Sequence, residues 1–357
     1  MRELFLTHFQ RYPLMQIQDM VKLIFQNEFA GGHMLTDEAM SLNRLTEEFR
    51  TIRRNSSDLS SQSLIEDIGN GLVRLHLQGI GSDAPDLSTI NRFFVVTSNT
   101  HKGSIEGMER KLDELKCSCR QQALPYTLEA LEEYLRPYRS QGYPACRHSE
   151  QYRAAYSPAY RVIRRDFAAY LDVFAQIDRL LGKKEWVTVA IDGKSGAGKS
   201  TLASLMALVY DCNLFHMDDF FLRPELKTPE RLREIGGNVD YQRFYQEVLM
   251  PLSRGESFSY QVYDCRTQTL GEWREVPRKR INIIEGSYSM HPLLRDAYDL
   301  KIFLTISDEE QSSRILSRNG PFMHQRFINE WIPLENAYFE VMRIKELCDL
   351  VYDQTQR

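Results

Sequence analysis

Apolar residues recur at helical spacing through the first half of the chain and as short unbroken runs through the second. Leu14, Ile17, Met20, Val21, Ile24 and Phe25 form one stripe, stopped by Gly31 and Gly32. Leu42, Leu45, Phe49 and Ile52 form the next, and similar periodicity predicts helices over about 86–98, 105–116 and 127–138. Between them, RRNSSDLSSQS reads as a loop. The turn Gly69-Asn70-Gly71 leads into a short strand with Leu72, Arg74 and His76 at alternating positions. From 161 to 181 the spacing of Phe167, Leu171, Phe174, Ile177 and Leu181 predicts one long amphipathic helix ended by Gly182. Beyond it, the runs VTVAI, NLFHM, INIIEG, LKIFLTI and DLVYD alternate with helical or loop segments, the pattern of a mainly parallel sheet covered by helices.

The expected organisation is a mostly helical α+β domain over 1–150, a linker and long helix over 151–184, and an α/β domain over 185–357. Composition adds little. A net charge of -4 over 357 residues gives no broad attraction for nucleic acid. The N-terminal stretch MRELFLTHFQ lacks the layout of a secretion signal, and no apolar run is long enough to span a bilayer. A cytoplasmic protein is expected, with neither nucleic acid nor membrane as a partner. Cys117, Cys119, Cys146 and His148 are the residues to weigh for zinc, but their uneven spacing favours ordinary reduced thiols.

The chemistry concentrates in WVTVAIDGKSGAGKST, residues 186–201. Gly193, Gly198, Lys199 and Ser200 match G-x-x-x-x-G-K-S. Glycines let the backbone curl so that amides face phosphate oxygens, the lysine reaches the β- and γ-phosphates, and the serine hydroxyl ligates magnesium. VTVAID supplies the preceding strand and TLASLMALVY the following helix. Ser195, Gly196, Ala197 and Thr201 complete the expected nucleotide-binding set, and ATP with Mg2+ are the expected cofactors.

Acids then fall at the ends of the apolar runs, where open α/β sheets place ligands. Asp218, after NLFHM, is the candidate general base; Asp219 is either a second active-site acid or a cap. Glu285 joins Ser200 as a magnesium or water-positioning candidate. Asp240 opens a helix, as an acceptor-binding residue, an N-cap, or both. Asp264, after the alternating run SFSYQVYD, either lines the acceptor pocket or forms a hairpin turn. Arg314 and Arg318 lie four apart on a helix begun by the capping box Ser307–Glu310, and Arg326 follows the Gly320-Pro321 break. Three arginines around a breaker suit a phosphate-clamping lid.

With these motifs, residues 185–357 resemble the uridine kinase and phosphoribulokinase superfamily of P-loop kinases, which includes bacterial pantothenate kinase. The resemblance implies a P-loop kinase fold with an arginine-bearing lid. It implies Asp218 as general base, Asp240 near substrate hydroxyls, Tyr263 and Asp264 in the acceptor pocket, Glu285 at the strand end, and Arg314 and Arg318 on the lid helix. The acceptor segment is shorter than in uridine kinases, and the first half of the chain resembles no known module. There, His33, Asn91 and His101 are candidates for a second ligand site, weighed against capping and turn roles.

The expected function is ATP- and Mg-dependent phosphoryl transfer to a hydroxyl of a small molecule, a nucleoside first. A non-nucleoside alcohol such as a pantothenate-like compound is the alternative acceptor. A P-loop ATPase switch, coupled to a regulatory first half, is the alternative activity. The expected partner is the acceptor itself, with self-association left open.

Overall fold

A computed structural model describes residues 1–31, 37–55 and 63–355. His33 lies outside the described residues, as do 56–62 of the loop expected over 53–63, whose first three residues belong to helix Glu38–Asn55. The chain divides into two compact units, Met1–Ala175 and Gln176–Arg357, with the division inside helix Leu171–Leu181.

In the first unit, the helical stripes become helices Ile17–Phe29, Glu38–Asn55, Leu87–Thr100, Ile105–Arg120 and Leu128–Ser140. Ser104 and Thr127 cap the last two, accepting from the amides of Gly107 and Ala130. These helices accompany a three-stranded antiparallel sheet: β1 (Ile65–Gly69), β2 (Leu72–His76) and β3 (Tyr160–Arg164), with β2 in the middle. All five residues of β2 are buried, so it is covered on both faces, with the polar Arg74 and His76 included.

β3 corrects the long helix expected over 161–181. Val162 and Ile163 fit a helical stripe, but they pair with Arg74 and Val73 of β2, which gives that strand a hydrogen-bonded neighbour on its second side. The helical part is Arg165–Ala169 and Leu171–Leu181, interrupted at Tyr170. β-branched side chains tolerate a helix but favour a sheet, and tertiary pairing decided the outcome.

Arg74 is fully buried in this unit. Its guanidinium donates to Glu66 Oε2 at 3.1 Å and to Gln26 Oε1 at 2.7 Å, and lies 4.7 Å from the centre of the Tyr160 ring. Nearby, His148 bridges Asp19 (2.8 Å) and the Tyr160 hydroxyl (2.6 Å). Asn91 and His101 also have structural partners. Asn91 accepts from Ser41 Oγ at 2.7 Å, and His101 Nε2 lies 2.9 Å from the Glu28 carbonyl at the end of its helix.

The second unit is a mixed α/β body around a five-stranded, all-parallel sheet. Its strands are β4 (Val187–Gly193), β5 (Cys212–His216), β8 (Ile281–Glu285), β9 (Leu300–Thr305) and β10 (Leu350–Asp353). β6 (Phe258–Asp264) and β7 (Thr269–Val276) form a separate antiparallel hairpin. The sheet order is β10-β9-β4-β8-β5, so β4, which leads into the glycine-rich loop, is central. Every residue of β4 and β8 is buried, as expected for parallel strands covered on both faces. No helix among the described residues is long and apolar enough to cross a membrane.

Candidate active site

The parallel register brings the chemistry to one end of the sheet. Ile191 of β4 and His216 of β5 both align with Glu285 of β8, and Gly193 aligns with Leu304 of β9. Four strands thus deliver their C-terminal ends to the same edge. The crowding makes Gly193 obligatory: its φ is 138°, and a Cβ there would lie 2.0 Å from the Leu304 carbonyl oxygen. The loop then turns through Gly196 (φ 80°) and Gly198 (φ 95°), and Gly198 caps helix Lys199–Ala207. Ala197 is buried and Thr201 is exposed on the first turn of that helix.

Lys199 curls back over the loop, donating to the Gly193 carbonyl at 2.7 Å, the Lys194 carbonyl at 3.2 Å and Ser287 Oγ at 3.2 Å. Ser200 Oγ donates to Glu285 Oε1 at 3.0 Å, and His216 Nδ1 approaches the same oxygen at 2.5 Å. That contact raises the His216 pKa, with the Glu285 charge adding to it. Glu285 is buried, so hydroxyl and imidazole together compensate a carboxylate taken out of water.

Asp218 and Asp219 follow β5 on one short turn, Met217–Phe220, and face different environments. Asp218 is open to solvent, but protein surrounds it closely. Desolvation raises its pKa, the neighbouring Glu285 charge adds to the rise, and Lys199 and His216 oppose it. Asp219 is buried and anchored. Its Oδ2 accepts from the Tyr260 hydroxyl and from Arg274 Nη1, both at 2.9 Å, and its carbonyl accepts from Arg243 Nη2 at 2.7 Å. Asp219 therefore fastens the β6–β7 hairpin and helix Tyr241–Phe244 to the end of β5, while Asp218 stays free to meet a ligand.

The other expected residues separate into those near the loop and those away from it. Asp240 is buried and caps helix Tyr241–Phe244, accepting from the Arg243 amide at 3.1 Å. Tyr263 is buried on β6. Asp264 accepts from the Arg266 amide at 2.7 Å, the hairpin-turn arrangement. Arg314 reaches the loop, donating to the Gly196 carbonyl at 3.4 Å and to the Gln354 carbonyl at 3.2 Å. Arg318 is exposed and bonds its neighbour Asn319, and Arg326 pairs with Glu330 and lies over Trp331. Both lie along helix Asp308–Arg326, which kinks at Gly320. No described contact joins either to the loop.

Sequence reasoning missed His216, Ser287, Asp192, Tyr338 and Glu335. Asp192, wholly buried, accepts from the Met290 amide at 2.9 Å and the Tyr338 hydroxyl at 2.8 Å, and burial pushes its pKa up to about 6. Glu335, from helix Ile332–Val341, accepts from the Ser195 amide at 3.0 Å, Ser195 Oγ at 2.6 Å and Ser287 Oγ at 2.6 Å. Asp192 and His216 carried a local signal, the first as the acid after VTVAI and the second as the polar residue near the end of NLFHM; Ser287, Glu335 and Tyr338 carried none. A separate cavity of about 420 Å³ lies beside Trp186, Leu252 and Asp299, near the opposite ends of the strands.

No family model matches the chain. A Schizosaccharomyces pombe protein with a provisional uridine kinase assignment is 25% identical over 186 residues, 45% of this chain and 78% of its own length. The solved structure of a possible uridine kinase from Bacillus stearothermophilus is 22% identical, covering 51% of this chain and 100% of that one, at a TM-score of 0.38. A provisionally assigned fructose transport system kinase from Silicibacter sp. TM1040 is 24% identical over 50% of this chain and 97% of its own, at a TM-score of 0.37. The resemblance to the P-loop kinase superfamily is weak and of low identity.

Proposed function

We propose that residues 176–357 form an ATP- and Mg-dependent kinase that phosphorylates a hydroxyl of a small molecule, with a nucleoside as the first acceptor to test. The observation that carries the reading is the meeting of Lys199, Ser200, Glu285 and the solvent-open Asp218 at the ends of adjacent parallel strands. Asp218 is placed to take a proton from an incoming hydroxyl, of an acceptor or of water, and the acceptor dependence of ADP release separates transfer from hydrolysis.

The residues fit the cofactors. The positive-φ glycines of the loop turn its backbone without side-chain obstruction, and the Lys199 ammonium is already held over the loop by its carbonyl oxygens. Ser200 and Glu285 offer the hard oxygen donors that magnesium prefers. When bound, Mg-ATP supplies the transferable phosphoryl group and the metal charge that screens it. Lys199 and the loop amides then hold the phosphate oxygens, and Ser200 with Glu285 hold the metal. Asp218 orients the acceptor hydroxyl and takes its proton. Its raised pKa suits that work, because a carboxylate destabilised by its surroundings is a stronger base. Arg314 steadies the loop through Gly196.

The test is a panel of nucleosides, pantothenate-like alcohols and sugar phosphates with Mg-ATP, following ADP release and product mass. The expected result is acceptor-dependent ADP release that Asp218→Asn slows by at least about a hundredfold while ATP still binds. Acceptor-independent hydrolysis, unaffected by Asp218→Asn, refutes the proposal and favours the switch.

A further inference from the structure

The phosphate loop already holds an anion, and that anion belongs to the chain. The Glu335 carboxylate takes the Ser195 amide, which lies between the first and last glycines of the motif, together with the Ser195 and Ser287 hydroxyls. It is 5% exposed. Ser287 Oγ in turn receives Lys199 Nζ at 3.2 Å, so one hydroxyl separates Glu335 from the ammonium that reaches the β- and γ-phosphates in loops of this pattern. Core packing delivers the carboxylate. Tyr338, one turn further along the same helix, is buried and bonded to Asp192, and Phe339 packs in the hydrophobic core. On the far side of the loop, Gln311 Nε2 donates to the Ser195 carbonyl at 2.9 Å, which holds the Ser195 peptide in place.

We propose that Glu335 is an internal competitor for the terminal phosphate, so that the loop discriminates nucleotides by phosphate number. The inference rests on the kinase reading above. Two anions do not share one set of donors at low cost, because like charges brought together out of water repel strongly. A nucleoside diphosphate, lacking the third phosphate, leaves Glu335 bonded to Ser195 and Ser287. A triphosphate displaces it, and the two hydroxyls and Lys199 pass to the incoming phosphate. The helix stays anchored by Tyr338 and Phe339; the flexible glutamate side chain swings alone. Triphosphate affinity is thereby held down relative to diphosphate affinity.

The experiment is calorimetric titration of the full chain with Mg-ATP, its non-hydrolysable β,γ-imido analogue and Mg-ADP, for the native protein, Glu335→Gln and Glu335→Ala. Both substitutions are expected to tighten triphosphate binding by about tenfold, within the usual range of coupling between sites, and to change ADP binding by less than about twofold, so the ATP-to-ADP ratio of Kd values falls. Glutamine preserves the shape of the side chain and guards against misfolding of the alanine variant, and thermal melting checks both. An unchanged or rising ratio, with native-like melting, overturns the competitor role and leaves the kinase reading standing. If no variant binds either nucleotide, both the kinase reading and this inference fall together.

Discussion

Neutralising the two adjacent acids, Asp218 and Asp219, should move stability in opposite directions. Asp218→Asn removes a charge that its surroundings disfavour: desolvation and the Glu285 carboxylate both hold its pKa up. A raised folded-state pKa means that the native state holds its proton more tightly than the unfolded chain does. At neutral pH the ionised side chain therefore opposes folding, and the amide removes that opposition. Asp218→Asn should melt at or above the native protein. The advantage should shrink as pH falls from the folded-state pKa toward the ordinary aspartate range, because there the native carboxyl becomes neutral too.

Asp219→Asn acts on a carboxylate with two donors at 2.9 Å, one the hydroxyl of fully buried Tyr260 and the other Arg274. Arg274 is 39% exposed, so its ion pair contributes little through solvent screening, and most of the loss comes from the hydrogen bond to Tyr260. A charge-assisted bond weakened to a neutral one costs about 1–2 kcal/mol. For a unit of this size that is a fall of about 2–4 °C in melting temperature for each kcal/mol. Thermal unfolding of the full chain, followed by calorimetry across a pH series, reads both variants through the transition of the second unit. A lower melting temperature for Asp218→Asn at neutral pH, or an unchanged one for Asp219→Asn, refutes the division of roles between these neighbours.

Glu285→Gln should lower the His216 pKa toward its ordinary value by removing the carboxylate that raises it, and a histidine NMR titration measures the shift. Arg314→Ala should weaken nucleotide binding and loosen the loop, whereas Arg318→Ala should leave equilibrium binding within about twofold; of these two arginines Arg314 alone touches a loop carbonyl, and fluorescent-nucleotide titration of the pair checks this. In the first unit, Arg74→Ala should destabilise by about 3–5 kcal/mol, because it leaves the buried Glu66 without its nearest cation. Urea unfolding of that transition tests it, and a loss under about 1 kcal/mol would show that water compensates Glu66.

The parts of the site that were readable in the sequence are local. The glycine-rich loop needs its residue types within one turn, between a strand and a helix, and Asp218 and Glu285 are acids at the ends of apolar runs. The unreadable parts depend on strand order and on helix return. Glu335 is 140 residues from Ser195, and Tyr338 is 146 from Asp192. Nothing in the spacing near 335 distinguishes a loop-binding glutamate from a solvated one. His216 gains its partner only because β5 lies beside β8, 69 residues away. The same limit produced the error at 161–164, where Val162 and Ile163 suit a helix or a strand and β2 chose the strand. Parallel strands were easier to recognise, since burial on both faces leaves continuous apolar runs that need no partner to be noticed.

Asp192 bears on what an engineer would have to move in order to transplant this loop. Its two carboxylate oxygens hold the Gly193 and Met290 amides and the Tyr338 hydroxyl. The start of the motif, the turn after β8 and the C-terminal helix are thus fastened at one buried point. Grafting the eight residues Gly193–Ser200 onto a foreign parallel sheet would carry the glycines and the lysine but leave this fastening behind. The smallest portable cassette is discontinuous: the strand ending in Asp192, the turn through Met290 and a helix presenting Tyr338. A graft without the last two would give a loop of the right composition with no fixed shape.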